Sequence, residues 1–141
     1  MKLIINSDSG INPEGSTPIP ELKLNYGQSY QSFNSFSDLG LTYRKRTETD
    51  LFDMIKLENT IGVRPFEETP VLFMAQAFYE KTLGTIATGT SSGNYDLLKL
   101  QLSAAYEYDE NITVQAGYFN NVYGVNTAAG QGILISTWLS F

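Results

Sequence analysis

Apolar and polar residues alternate on both sides of a short polar interruption in "LLKLQLSAAYEYDENITVQAGY", residues 97–118. The even positions from Leu98 to Tyr108 are apolar, and the odd positions between them are mostly polar. After "DEN" (109–111) the even positions up to Tyr118 are apolar again. A period of two is typical of β-strands that have two different faces. The stretch therefore predicts an antiparallel hairpin whose three-residue loop keeps both apolar faces on one side of the sheet.

The same alternation recurs outward along the chain, and in nearly every window a period of two fits better than the 3.6-residue period of a helix. It predicts strands at about residues 2–6, 20–32, 38–47, 54–64, 71–81, 95–108, 112–123 and 132–141. No linker or low-complexity tract divides these strands. We therefore predict an all-β protein, an antiparallel up-and-down β-barrel of about eight strands, with residues 1–141 forming a single β-barrel domain. Connection lengths, aromatic residues and charges predict that it is a transmembrane β-barrel.

Alternation alone does not say which face of the strands points inward. In a soluble sandwich or barrel the apolar face lies in the core. In a membrane barrel the apolar face contacts lipid and the polar face lines the interior. Connection lengths favour the membrane orientation, because long and short connections alternate. Residues 7–19, 48–53, 82–94 and 124–131 are the predicted external loops.

Aromatic residues also favour the membrane orientation. Phe66, Tyr106, Tyr108 and Phe141 are expected near the periplasmic rim, and Tyr43, Tyr79, Tyr95 and Tyr123 near the opposite rim. Aromatic side chains are enriched at both surfaces of a bilayer, where the ring is buried and its polar tip reaches water.

Charged residues within the strands avoid the apolar face. A Lys or Arg on the lipid face costs about 2–4 kcal/mol near the bilayer midplane, so this distribution fits a membrane wall. We expect Glu58 to form an interior ion pair with Arg44, which lies diagonally across the β-hairpin. The predicted lumen-lining residues are Arg44, Arg46, Lys56, Glu58, Lys99, Gln101 and Glu107.

The final strand, "GILISTWLSF" (132–141), resembles the C-terminal signal that the assembly machinery of bacterial outer-membrane β-barrels recognises. The residues that carry this resemblance are Ile135, Leu139 and Phe141. Residues 106–141 look like the last three strands of barrels in the porin and solute-transport group, and most resemble its branch for uptake of aromatic or other hydrophobic compounds. The resemblance implies location in the bacterial outer membrane. It also implies contacts with the lipid bilayer and the barrel-assembly machinery, and passive transport of small solutes.

Members of that group generally have more strands than this chain. An eight-stranded barrel has an interior filled by side chains, so an open pore needs further strands, from more of the protein or from copies in a homo-oligomer. Two alternatives stay open. One is a plugged barrel whose external loops bind a partner. The other is a soluble calycin-like β-barrel that binds a hydrophobic ligand.

The sequence lacks the residues that several kinds of chemistry require. The sequence contains no Cys and no His, which excludes disulfides, thiolate or imidazole metal sites and nucleophile–His pairs. The net charge of −6 argues against nucleic-acid binding. The glycine-rich run at 84–93 lacks the Lys of a phosphate-binding loop. We expect no enzyme activity, no cofactor and no metal site. No apolar run of about 18 residues predicts a transmembrane helix.

Overall fold

Strands occupy every region where alternation predicts them. The protein is seen in a computed structural model that describes residues 2–10, 19–45, 53–66, 68–84 and 95–140. The strands are β1 (Lys2–Gly10), β2 (Ile19–Tyr30), β3 (Ser35–Arg44), β4 (Asp53–Val63), β5 (Val71–Leu83), β6 (Asp96–Glu107), β7 (Ile112–Val125) and β8 (Gln131–Leu139).

The strands form one sheet in which each strand pairs antiparallel with the next one along the chain. The predicted all-β class and antiparallel up-and-down order are therefore confirmed. The β6–β7 hairpin has the predicted register, with Leu102 opposite Tyr118. The backbone N–H of Tyr108 donates to the carbonyl of Ile112 at 2.9 Å, which encloses the three predicted loop residues 109–111.

Asparagine makes two of the tight connections possible. Between β2 and β3 the chain makes a short 3₁₀ turn, Gln31–Phe33, and leaves it through Asn34 at φ 42°. Asn126 begins the connection after β7 at φ 54°. Asn tolerates this left-handed region better than most residues, so both turns reverse the chain within a few residues.

The alternation of connection lengths is weaker than predicted. Residues 124–131 were expected to form a long external loop, but β7 extends to Val125 and β8 begins at Gln131. The connection is therefore 126–130, which is shorter than the supposedly short connection 64–70. Hydrogen bonding explains the difference, because Asn121 N–H donates to the carbonyl of Gly130 at 2.7 Å and extends the hairpin. The other three predicted loops are also shorter than expected at their described ends, because residues 7–10, 19, 53 and 82–83 belong to β1, β2, β4 and β5. Most of the remainder of these loops lies outside the described residues.

The sheet does not close on itself, in contrast to the predicted barrel. Among the described residues β1 and β8 each pair with one strand and lie at opposite edges. A closed eight-stranded barrel brings side chains from opposite walls together in its interior. Here the side-chain contacts of the polar face join neighbouring or next-nearest strands, such as β2 with β4 and β4 with β6. The described strands therefore form an open sheet.

The two faces of the sheet differ sharply in composition. The apolar face carries Leu39, Leu41, Leu57, Ile61, Leu100, Leu102, Tyr118, Ile133 and Ile135, which the strand registers place side by side. The opposite face, here called the polar face, carries Lys23, Thr42, Lys56, Glu58, Gln76, Glu80, Lys99, Gln101, Ser103, Gln115 and Ser136.

A small apolar core lies on the polar face, toward the end of the sheet formed by the 31–34, 64–70 and 108–111 connections. Leu72 and Met74 of β5 pack with Ala105 of β6, and Phe36 of β3 contacts this cluster. The ring of Phe36 lies over Gly62, which is directly opposite on β4 and has no Cβ to obstruct it. The cluster therefore fixes the middle strands at this end of the sheet.

Candidate functional site

Burial on the polar face exceeds burial on the apolar face, although the sheet has a single layer. Gln115, Ser103 and Gln101 are 5%, 7% and 9% exposed. Ile133, Ile135 and Leu102, on the other face, are 77%, 76% and 66% exposed. Side chains converge on the concave side of a curved sheet and diverge on its convex side. The polar face is therefore the concave face, and it is the candidate functional site.

Ion pairs join strands across this face. Lys56 Nζ lies 2.8 Å from Glu80 Oε1, and the strand register places these residues directly opposite each other. Arg44 and Glu21 are also opposite, with Arg44 Nη2 at 2.6 Å from Glu21 Oε2. The hydroxyl of Tyr95 donates to Glu80 as well. Opposite charges in register stabilise neighbouring strands of a sheet.

Two further pairs reach over an intervening strand. Lys23 on β2 and Glu58 on β4 meet at 3.4 Å above Gly40 of β3, where a Cβ would lie 3.4 Å from the Glu58 carboxylate. The expected pair between Glu58 and Arg44 does not form. Arg44 stands opposite Met54 rather than beside Glu58, and its nearest acidic partner in register is Glu21.

Arg64 and Glu107 form the second long-reaching pair, at the end of the sheet that holds the apolar cluster. Two guanidinium nitrogens of Arg64 donate to the two carboxylate oxygens of Glu107, at 2.8 and 2.5 Å. This bidentate geometry is the strong form of a charge-assisted hydrogen bond. The hydrogen bonds that Arg64 donates to the Glu107 carboxylate raise the pKa of the Arg64 guanidinium above its ordinary value, so Arg64 stays charged.

Amide and hydroxyl groups form two hydrogen-bonded rows on the polar face. In one row, Gln101 donates to Gln76 at 2.8 Å, and Gln76 donates to Thr60 at 3.3 Å. In the other, Gln115 donates to Ser103 at 2.9 Å and accepts from Ser136 at 3.1 Å. These rows explain how uncharged polar side chains can be so well buried there, because each finds a partner.

Lys99 differs from the other cations of the polar face. Its ammonium nitrogen lies 4.3 Å from the ring centre of Phe78 and 5.8 Å from that of Phe119. Among the described residues no carboxylate oxygen lies within ion-pair distance of it. The contacts with the two rings are cation–π interactions, which stabilise the ammonium without neutralising it.

Six of the seven residues predicted to line a lumen can be located, and all six lie on the polar face. Arg44, Lys56, Glu58 and Glu107 are in ion pairs, Lys99 contacts aromatic rings, and Gln101 belongs to an amide row. Arg46 lies outside the described residues. Of the predicted assembly signal, Ile135 and Leu139 are exposed, and Phe141 lies outside the described residues.

The sequence prediction missed the partners of these residues. Lys23, Glu21, Glu80, Arg64, Gln76, Phe78 and Phe119 were not among the predicted site residues. The signal that could have found Glu80 is register, since the alternation and the connections together place it opposite Lys56. The signal that could have found Lys23 as the partner of Glu58 is Gly40. A glycine on the polar face of a strand leaves room for side chains from both neighbouring strands to meet above it.

Aromatic side chains are exposed at both ends of the strands. Phe33, Phe66 and Tyr108 lie in the connections at the end that holds the Arg64–Glu107 pair. Tyr43 and Tyr123 are exposed near the opposite end.

No helix within the described ranges is long and apolar enough to cross a membrane. Within the same ranges, no group of three or more acidic side chains could hold a metal ion. The fold defines the class of protein, an all-β protein built on one curved antiparallel sheet with a polar concave face. Comparisons with family models, with curated proteins and with solved structures give no match for the chain.

Proposed function

We propose that this sheet forms part of the wall of a bacterial outer-membrane β-barrel that allows passive passage of small solutes. In this proposal the apolar face contacts lipid and the polar face borders a water-filled interior. The observation that carries the proposal is the inverted exposure of the two faces, with Ile133 at 77% and Gln115 at 5%. Soluble monomers rarely expose an apolar surface that extends over many strands, whereas a barrel wall in lipid requires one.

The soluble alternative, a calycin-like barrel around a hydrophobic ligand, requires the opposite curvature. Leu57, Leu100 and Ile135 would have to converge on a dry interior, but all three are exposed. Lys56 and Lys99 are half-buried on the concave side, next to other polar groups. On the described part of that side, the row of Gln76 and Gln101 separates the apolar cluster from Phe78 and Phe119, so a hydrophobic ligand would find no continuous apolar lining there.

The open edges fit a barrel that is wider than eight strands. Unpaired backbone groups are very costly in the hydrocarbon region of a bilayer, so the free edges of β1 and β8 need additional strands. Those strands come from the rest of a longer protein or from further copies of this chain. A wider barrel leaves room for water beside the paired side chains of the polar face, and the barrel-assembly machinery would insert it.

Adjacent residues on opposite faces of β8 provide a direct test of orientation. The single tryptophan of the sequence is first removed by the substitution Trp138→Phe. Ile135→Trp then places an indole on the apolar face, and Ser136→Trp places one on the polar face. Both variants are refolded into vesicles, and their fluorescence is quenched with lipids brominated in the acyl chains or with iodide in the water.

We expect brominated lipid to quench the Ile135→Trp variant strongly and iodide to quench the Ser136→Trp variant. Equal quenching of both indoles by iodide, or stable folding in buffer without detergent or lipid, would contradict the membrane proposal. Solute passage is tested separately by the swelling of proteoliposomes in isotonic sugar solutions. An oriented but impermeable protein would retain the membrane assignment and remove the transport function.

A further inference from the structure

Each cation of the polar face whose side chain the structure describes has a carboxylate partner, with one exception. Lys23, Arg44, Lys56 and Arg64 each have a carboxylate partner within 3.4 Å. Lys99 has none among the described residues. The carboxylate of Glu80 lies within electrostatic range of Lys99, but its oxygens already bind Lys56 and the hydroxyl of Tyr95. Lys99 therefore presents positive charge that no side chain on the described part of this face neutralises.

The surroundings of Lys99 are aromatic on two sides. Phe78 is directly opposite on β5, and Phe119 lies diagonally across on β7, opposite Gln101. The ammonium and both rings are half-buried, so the edge of this cluster is open to the concave side. Gly132 faces Phe119 from β8, and a Cβ at Gly132 would lie 2.9 Å from the ring. The absent side chain thus leaves space for the ring to lie flat over β8.

A positive charge between two flat apolar surfaces is complementary to a particular kind of molecule. A carboxylate forms a charge-assisted hydrogen bond with an ammonium group, and such bonds are stronger than those between neutral groups. The flat body of an aromatic acid can stack against a phenylalanine ring in an offset or edge-to-face arrangement. A neutral solute would gain the ring contact alone, and an inorganic anion would gain the charge contact alone.

We propose that Lys99, Phe78 and Phe119 form a binding position for a small aromatic carboxylate on the polar face. This inference deepens the proposed function and rests on it, because it names the class of solute that the interior would favour. The amide groups of Gln76 and Gln101 lie in the next row of the same face, where they keep that side of the position polar. The ammonium binds the carboxylate, and the rings bind the aromatic body.

The test uses 4-fluorobenzoate and the protein refolded in a nonionic detergent, with binding followed by the width of the ¹⁹F resonance. The variants are Lys99→Gln, Lys99→Arg and Lys81→Gln. Lys81 is a matched control, because it lies on β5, pairs with Asp96 and occupies the apolar-face side of the sheet. Circular dichroism and heat-modifiable migration on a gel show that each variant is folded.

We expect the native protein and Lys81→Gln to broaden the resonance equally. We expect Lys99→Gln to weaken binding by about tenfold or more, as loss of a hydrogen bond between charged groups does, and Lys99→Arg to retain most of it. Neutral 4-fluorobenzamide should bind weakly to every variant. Equal binding of 4-fluorobenzoate to the native protein and to Lys99→Gln would overturn the proposal.

Competition with acetate distinguishes the contribution of the Lys99 ammonium from that of the two phenylalanine rings. If acetate displaces 4-fluorobenzoate as well as benzoate does, the rings contribute nothing and the aromatic part of the proposal is wrong. These measurements need only folded protein and report on binding. If the orientation test fails but binding still depends on Lys99, the proposed membrane function is wrong and the binding site is supported. Correct orientation without Lys99-dependent binding would remove the site alone.

Discussion

Two glycines of the polar face meet their neighbours in different ways. A Cβ at Gly117 would lie 2.7 Å from the Cβ of Ser103 and 2.8 Å from the backbone carbonyl oxygen of Leu102. A Cβ at Gly40 would meet the ends of the Asn25 and Glu58 side chains at 3.1 and 3.4 Å. Backbone atoms and a Cβ cannot move without moving their strand, whereas the ends of long side chains can rotate. Gly117 is thus a position of close strand approach.

We predict that Gly117→Ala lowers the free energy of unfolding by about 1–3 kcal/mol, the usual cost of forcing an extra group into a packed site. Gly40→Ala is the matched control and should change it by no more than about 0.5 kcal/mol. Both values are measured by guanidinium titration of the refolded protein. Equal destabilisation by the two substitutions would show that close strand approach at Gly117 is not what makes glycine necessary.

The sequence predicts which face of the sheet a side chain occupies better than it predicts which residue that side chain contacts. Parity along β4 and β6 is sufficient to place Lys56, Glu58 and Lys99 on one face. The partner of Lys56 follows once the register is known, because Glu80 is directly opposite. The partner of Glu58 does not follow, since Lys23 is two strands away and reaches it only over a glycine on a concave surface. Curvature of that kind leaves no periodic signal in the chain.

One side chain stabilises the loop of the β6–β7 hairpin. Asp109 Oδ1 accepts hydrogen bonds from the backbone N–H groups of Asn111 and Ile112, both at 2.8 Å. An aspartate that binds the backbone two and three residues ahead of it is a recurrent way to fix a tight turn. The register of the whole hairpin, and with it the side that Leu102 and Tyr118 face, depends on this loop.

We predict that Asp109→Ala destabilises the protein by about 1–2 kcal/mol, since two backbone donors lose their acceptor. Asp109→Asn retains the Oδ1 acceptor and should cost less than Asp109→Ala. Glu110→Ala, in the same loop, should be nearly neutral because Glu110 is exposed. The three variants are compared by the midpoint of guanidinium unfolding. A cost for Glu110→Ala equal to that of Asp109→Ala would contradict the role given to Oδ1.

The sequence also predicts elements unevenly. The β6–β7 loop is predicted correctly because alternation on both sides leaves three residues, 109–111, between two matching faces. The β7–β8 connection is predicted too long because Gly124, Val125 and Gln131, which flank a run of small and polar residues, belong to β7 and β8. The register shifts between Leu98 and Lys99, so that Tyr123 rather than Val122 stands opposite Leu98. A bulge of this kind shifts the parity of the following residues, so alternation counted from Ile112 does not predict which face they occupy.

The exposure of the apolar face, the burial of the polar face and the open edges of the sheet have one common explanation. A curved sheet with polar side chains paired on its concave side gains little from closing around a dry core, because its apolar residues point the other way. It would instead gain from a medium that accepts apolar surface on the convex side and from strands that cover its edges. A bilayer and a wider barrel supply these two conditions together.

A charge in the centre of the apolar face separates lipid from water as the surrounding medium. We predict that Leu102→Arg lowers the free energy of unfolding in vesicles by about 2–4 kcal/mol, the cost of a basic side chain near the bilayer midplane. Tyr108→Arg, just beyond the end of the same strand, should cost no more than about 1 kcal/mol, because charges are tolerated near the interface. In water the first substitution would be almost neutral, since Leu102 is 66% exposed and has little packing to lose. Equal and small effects for both variants, measured by guanidinium titration in vesicles, would place Leu102 in water and contradict the orientation on which the proposed function depends.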